Sequence, residues 1–102
     1  KELLLEAAAL LPVKIAGAEA IDLYDQRMEN AVLIRKAARN LLSHCASLTM
    51  FGFKEAHYLQ LLREALEEFR LLFLDWVRGF DPWNYVVDPW GLFNPPGISP
   101  TP

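Results

Sequence analysis

Three side chains in the middle of the chain have types that could carry chemistry. Arg39, Asn40 and His44 spell Arg-Asn-x-x-x-His. A guanidinium stabilises developing negative charge, an imidazole moves protons near neutral pH, and an amide fixes local geometry. On a helix, positions five apart sit about 140° apart around the axis. The same pair equally fits a boundary arginine held in a salt bridge and a histidine on a solvated flank. Other chemistry is thinner. Cys45 is the single cysteine and falls on an apolar stripe, where a thiol is usually a small hydrophobe. Ser43 and Ser47 lie on the wet side near His44, without a third group to orient them. Two histidines and one cysteine cannot close a zinc site without recruiting carboxylates. Glu55 and His57 are two apart and point to different sides of a helix, and no Glu-x-x-His pair of a di-iron bundle occurs. Gly17, Gly52, Gly79, Gly91 and Gly97 are scattered as punctuation and make no phosphate-cradling loop. The expectation is neither metal nor cofactor.

The Arg-Asn-x-x-x-His run resembles the active-site motif of the HEPN superfamily, small helical domains that include metal-independent RNases. The resemblance spans six of 102 residues. It implies that Arg39 stabilises phosphate charge, that His44 transfers protons or contacts phosphate, and that Asn40 supports them. It also implies that two protomers build one cleft.

The elements carrying these residues follow from apolar spacing. Lys1 to Leu11 is rich in Leu and Ala and predicts about three helical turns. Pro12 lacks an amide hydrogen and should end or kink that helix near Leu11. Val13 to Ala18, with Gly17, reads as a bend or an irregular helical stretch. From Glu19 to about Leu48 the pattern is helical, with Ile21, Tyr24, Met28, Ala31, Arg35, Ala38, Leu42 and Cys45 on one stripe. Arg27 and Arg35 fall towards that stripe, so each must either pair across an interface or carry its head to the rim. Thr49 to Phe53 holds Gly52 and predicts a short turn. The clearest signal is Leu59, Leu62, Leu66, Phe69, Phe73, Trp76 and Phe80, stepping by alternating threes and fours as a heptad seam. Gly79 is placed to close this helix through a left-handed conformation.

From Phe80 onward the chain changes character. Six of the seven prolines lie there, with Trp83, Tyr85, Trp90 and Phe93, and the trimer Asp-Pro-Trp occurs at 81–83 and again at 88–90. In Asp-Pro the carboxylate caps following amides while proline fixes φ, so each trimer predicts a turn. These rings either cover the end of the bundle or its dimer mate, or form an adhesive arm for a different protein.

Composition bounds the rest. At 102 residues the chain is a single folding unit. With 53% hydrophobic and 12% aromatic residues it is not a disordered chain. A net charge of −3 gives no general attraction to nucleic acid or anionic lipid. The longest charge-free stretch before the tail, Asn40 to Phe53, is too short and too polar to span a bilayer. A lone cysteine fits a reducing, cytoplasmic compartment. The chain begins at Lys1 without a signal-peptide layout, which suggests an ordered or processed piece of a longer protein. Leu33, Leu71 and Leu74 sit on otherwise polar faces, and a domain this small buries only about 60–65% of its unfolded surface. Self-association follows as the expectation.

The reading is therefore an all-α protein. A bundle domain over 1–80 holds a short first helix and an antiparallel hairpin that dimerises into a four-helix-type bundle. A Pro/Trp-rich arm over 81–102 follows it. Its expected role is a non-catalytic protein–protein interaction module, a homodimer with Phe69, Phe73, Trp76, Phe80, Trp83, Tyr85, Trp90 and Phe93 as anchors. The alternative is a HEPN-like RNase or RNA-binding domain acting through Arg39, Asn40 and His44.

Overall fold

The computed structural model describes residues 2–50 and 56–100. Its regular elements are three helices: α1 (Glu2–Ala18), α2 (Tyr24–Met50) and α3 (Ala56–Arg78). Each packs against both others, so the protein is all-α. The link over 19–23 turns the chain back from α1 into α2. Along the α2–α3 seam Met28 shares a hollow with Val77, and the Cys45 thiol lies 4.0 Å from the Leu59 carbonyl oxygen. Numbers rising on one helix and falling on the other make the pair antiparallel, and the three helices run up, down and up.

Helix α1 differs from the expectation. It continues through Pro12 to Ala18 as 17 residues rather than stopping near Leu11. Proline inside a helix costs about 3 kcal/mol through a lost backbone bond and a ring clash. Ala8, Leu11, Ile15 and Ala18 fall at helical spacing and are all buried, whereas Pro12 faces solvent. Burying Leu11 and Ile15 contributes about 1.5–3 kcal/mol each, so packing outweighs the proline. With α1 in place the core closes from three helices of one chain.

The face of α2 is also turned from the expected one. Ala31, Ile34, Leu41 and Cys45 are buried, with Ala38 and Leu48 partly so. Arg35 and Leu42, placed on the predicted stripe, are exposed instead. Two stripes share Ala31, Ala38 and Cys45, and Ile34 with Leu41 decide between them because they fill the space α1 and α3 leave. The helix begins at Tyr24 rather than Glu19. The turn expected over 49–53 yields Thr49 and Met50 to α2, and its remainder lies outside the described residues.

Arg27 reaches its rim within the chain. Its guanidinium donates to the carbonyls of Ile21 (2.5 Å) and Glu19 (3.1 Å) and pairs with Asp22 at 3.0 Å. Its Cζ stands 5.6 Å from the Phe80 ring centroid. Both carbonyls lie in the link just past the end of α1, where a cation is favourable.

On α3 the heptad seam is buried at Leu59, Leu62, Leu66, Phe69 and Trp76, with Phe80 buried just beyond the helix and Phe73 half-buried. Gly79 does not adopt a left-handed φ. The helix ends by tightening, Gly79 donating to the Trp76 carbonyl and Phe80 to that of Val77. The segment 79–100 holds no helix or strand. It is tied back where the Tyr24 amide donates to the Asn84 carbonyl (2.9 Å) and the Asn84 side chain donates to that of Asp22 (3.1 Å). One of the N-terminal amides of α2 that lack helical partners is thereby satisfied.

Replacing Phe69 with Ala should destabilise the fold by about 3–5 kcal/mol through a cavity. Replacing half-buried Phe73 should lose less than about half as much. Chemical denaturation of both variants checks this, and equal losses would contradict the packing described.

Candidate functional site

A groove of about 320 Å³ lies between α2 and α3. Its floor is apolar: Ala38 and Leu42 from α2, and Leu66, Phe69, Phe73 and Leu74 from α3. Its rim is basic. Arg35 and Arg39, four apart, share one side of α2, and Arg63 and Arg70, seven apart, share one side of α3. Glu67 also lies on the rim and holds Arg70 through two bonds of 2.9 and 2.7 Å. That contact lowers the Glu67 carboxyl below its ordinary range and raises the Arg70 guanidinium. Neither Arg35 nor Arg39 has an ion-pair or hydrogen-bond partner among the described residues.

The groove does not end there. A second hollow continues it past Met28, Val32 and Val77, sharing Arg35 and Phe73 with the first. Val32 then opens onto a third, of about 560 Å³, walled by Asp25, Glu29 and Leu33 of α2 and by Asp88, Trp90, Leu92 and Phe93 of the C-terminal segment. One strip thus runs along this face, basic at one end, apolar in the middle apart from Arg35, acidic and aromatic at the other.

The acidic end is built by the second Asp-Pro-Trp turn. The Asp88 carboxylate accepts the amides of Trp90 (2.9 Å), Leu92 (3.0 Å) and Phe93 (3.3 Å). Its own amide and carbonyl are clamped by the Asn94 side chain at 2.7 and 3.0 Å. These amides, that of Trp90 first, hold the Asp88 carboxyl below the usual aspartate range against the opposing effect of burial. Gly91 closes the turn at φ 75°, and a Cβ there would stand 3.3 Å from Pro100 Cγ. The first trimer forms the same turn, Asp81 Oδ1 accepting the Trp83 amide at 3.0 Å.

The residues singled out from the sequence separate into groups. Arg39 lines the groove, whereas Asn40 and His44 are exposed on α2 outside its lining. Phe69, Trp76 and Phe80 are covered within the chain, and the Trp76 and Phe80 rings meet edge to face with centroids 4.8 Å apart. Phe73 opens onto the groove, and Phe93 onto the acidic end. Tyr85 is half-buried beside Trp83, which is 62% exposed, and Trp90 stands 87% exposed. Among the described residues no three of His, Cys, Asp and Glu gather as metal ligands, and no helix is long and apolar enough to cross a membrane. The basic groove was missed because Arg35 was assigned to the core stripe. The two arginine pairs, each on one side of its helix, were the available signal.

Asp88 binds its proton less tightly folded than unfolded. Its contribution to stability is therefore complete above the ordinary aspartate value and is lost as pH falls through the lowered folded value. Asp88→Asn should weaken that acid transition and, by setting an amide NH₂ against Leu92 and Phe93, speed hydrogen exchange at both amides. Unchanged exchange would show that the carboxylate does not hold the turn. Comparison with protein-family models, with curated proteins and with solved structures finds no match.

Proposed function

We propose that this chain is a non-catalytic helical assembly module that pairs with a second copy through the α2–α3 strip. The observation that carries the reading is the strip itself. Val32, Leu42 and Leu74, together with Trp90 and Leu92, are exposed apolar side chains along one face. Contiguous apolar surface of this kind marks interaction sites, whereas isolated exposed leucines do not.

The area of the molecule supports it. The accessible surface is 7161 Å², against about 5,800 Å² for a compact monomer of 11.6 kDa. The radius of gyration is 16.8 Å, against about 13 Å for a compact domain of this length. The elongated shape, 57 Å along its long axis, contributes to that excess, and the exposed apolar side chains of the strip are the part an interface would cover. Leu10 and Val13 on α1 are exposed as well, so the strip is not the sole apolar face.

Light scattering after size exclusion tests this. At about 100 µM, a hundredfold above a micromolar Kd, the full chain should show twice its 11.6 kDa mass. The exposed-site variant Val32→Glu/Leu74→Glu should stay helical and become monomeric. A monomeric wild-type chain overturns the reading.

One observation favours a second reading. Arg39 stands in a groove with three further arginines, a setting suited to phosphate. Under a HEPN-like RNase reading the protein cleaves single-stranded RNA in EDTA, and His44→Ala abolishes the cleavage. Equal cleavage by the variant removes that reading.

A further inference from the structure

The two ends of the strip carry opposite charge. The groove brings four arginines against the single carboxylate of Glu67. The far end brings Asp25, Glu29 and Asp88, with no basic residue in its lining. The C-terminal segment adds an acidic and apolar surface of its own, since residues 80–102 contain two aspartates and neither lysine nor arginine. Its Trp90 and Leu92 project outward, 87% and 75% exposed.

We infer that the strip is self-complementary, and that the acidic, aromatic end of each copy seats in the arginine-rimmed groove of the other. This deepens the dimer reading and rests on it. A two-fold interface uses the same patch on both partners, so each feature must meet its complement at an equal distance across the axis. Glu29 and Arg39 are ten residues apart on α2, about 15 Å. Their midpoint falls at the central hollow of Val32, Arg35 and Phe73. An axis there sets the Glu29 of each copy against the Arg39 of its mate and brings Val32 and Phe73 of the two copies together, each Arg35 being turned to the groove that it also lines. Trp90 of each copy then has an apolar floor of the right character, with Leu42 and Phe69 at its base. The aromatic ring anchors the pair, while the charges fix its antiparallel register.

A charge swap on the full chain separates this arrangement from other dimers. The groove variant is Arg35→Glu/Arg39→Glu and the end variant is Glu29→Lys/Leu92→Lys, all at exposed positions. Each alone should weaken self-association at least about tenfold, from like charges facing across the contact. Their equimolar mixture should recover a heterodimer by light scattering, because one native contact and one inverted contact then form together. Raising salt from about 0.1 to about 1 M, which shortens screening from about 10 to about 3 Å, should weaken the wild-type dimer. If both variants dimerise as the wild type does, or if the mixture fails to recover, the end does not seat in the groove. The dimer reading survives that result wherever the wild-type mass is still doubled. A monomeric wild type overturns both.

Discussion

The Arg27 guanidinium joins the parts on which everything else rests. It meets the carbonyls of Glu19 and Ile21 and the carboxylate of Asp22 in the link that leaves α1, and the face of Phe80 just past α3. An arginine can do this because its planar fork offers several donors at fixed angles and its face stacks on a ring. A lysine would reach one of these groups at a time. The node lies where three chain segments meet. The α1–α2 link, the start of α2 and the return of the C-terminal segment are thus set against one another by one side chain, with Asn84 completing the closure.

Once α1 is held there, the orientation of α2 follows. A hairpin alone would bury the stripe that contains Arg35 and Leu42. With α1 present, the deeper seam lies between all three helices, and the aliphatic pair Ile34 and Leu41 occupies it. The rejected stripe becomes the wall of the groove. The apolar residues that made α2 ambiguous are therefore those that leave the chain with an unfilled face. Local rules broken in this way concentrate at functional surfaces, which is why the proposed interface is placed on this face.

Legibility in the sequence tracked how strongly one requirement dominated each segment. Helix α3 was plain, because its seam is strictly periodic and its other face is charged. Both Asp-Pro-Trp turns were plain, because the carboxylate and the proline act locally. Pro12 misled, since its penalty is local whereas the compensation from Leu11 and Ile15 is tertiary. Gly79 misled in detail, because tightened backbone bonds closed the helix without a left-handed residue. On α2 periodicity offered two solutions, and only the third helix could choose. The groove stayed hidden for that reason. Its arginines are separated by sequence and are collected by packing alone, while Arg39 had drawn notice through a motif whose His44 faces elsewhere on α2.

The C-terminal segment shows why proline and aspartate are useful in a surface that must present aromatics. A tryptophan on a flexible tail loses chain and rotamer freedom on binding, at about 0.5–1.5 kcal/mol per ordered side chain before the backbone is counted. Here the turn that carries Trp90 is ordered beforehand by three amide bonds to Asp88, by the Asn94 clamp and by buried Pro95. The ring is exposed while its backbone is fixed. A residue held this way makes no contribution to the core, and the proposed dimer gives its placement a reason. Under the proposed dimer the basic groove on the same face supplies a surface of opposite charge, and the Asp88 turn, besides stabilising the fold, holds the ring ready to meet it.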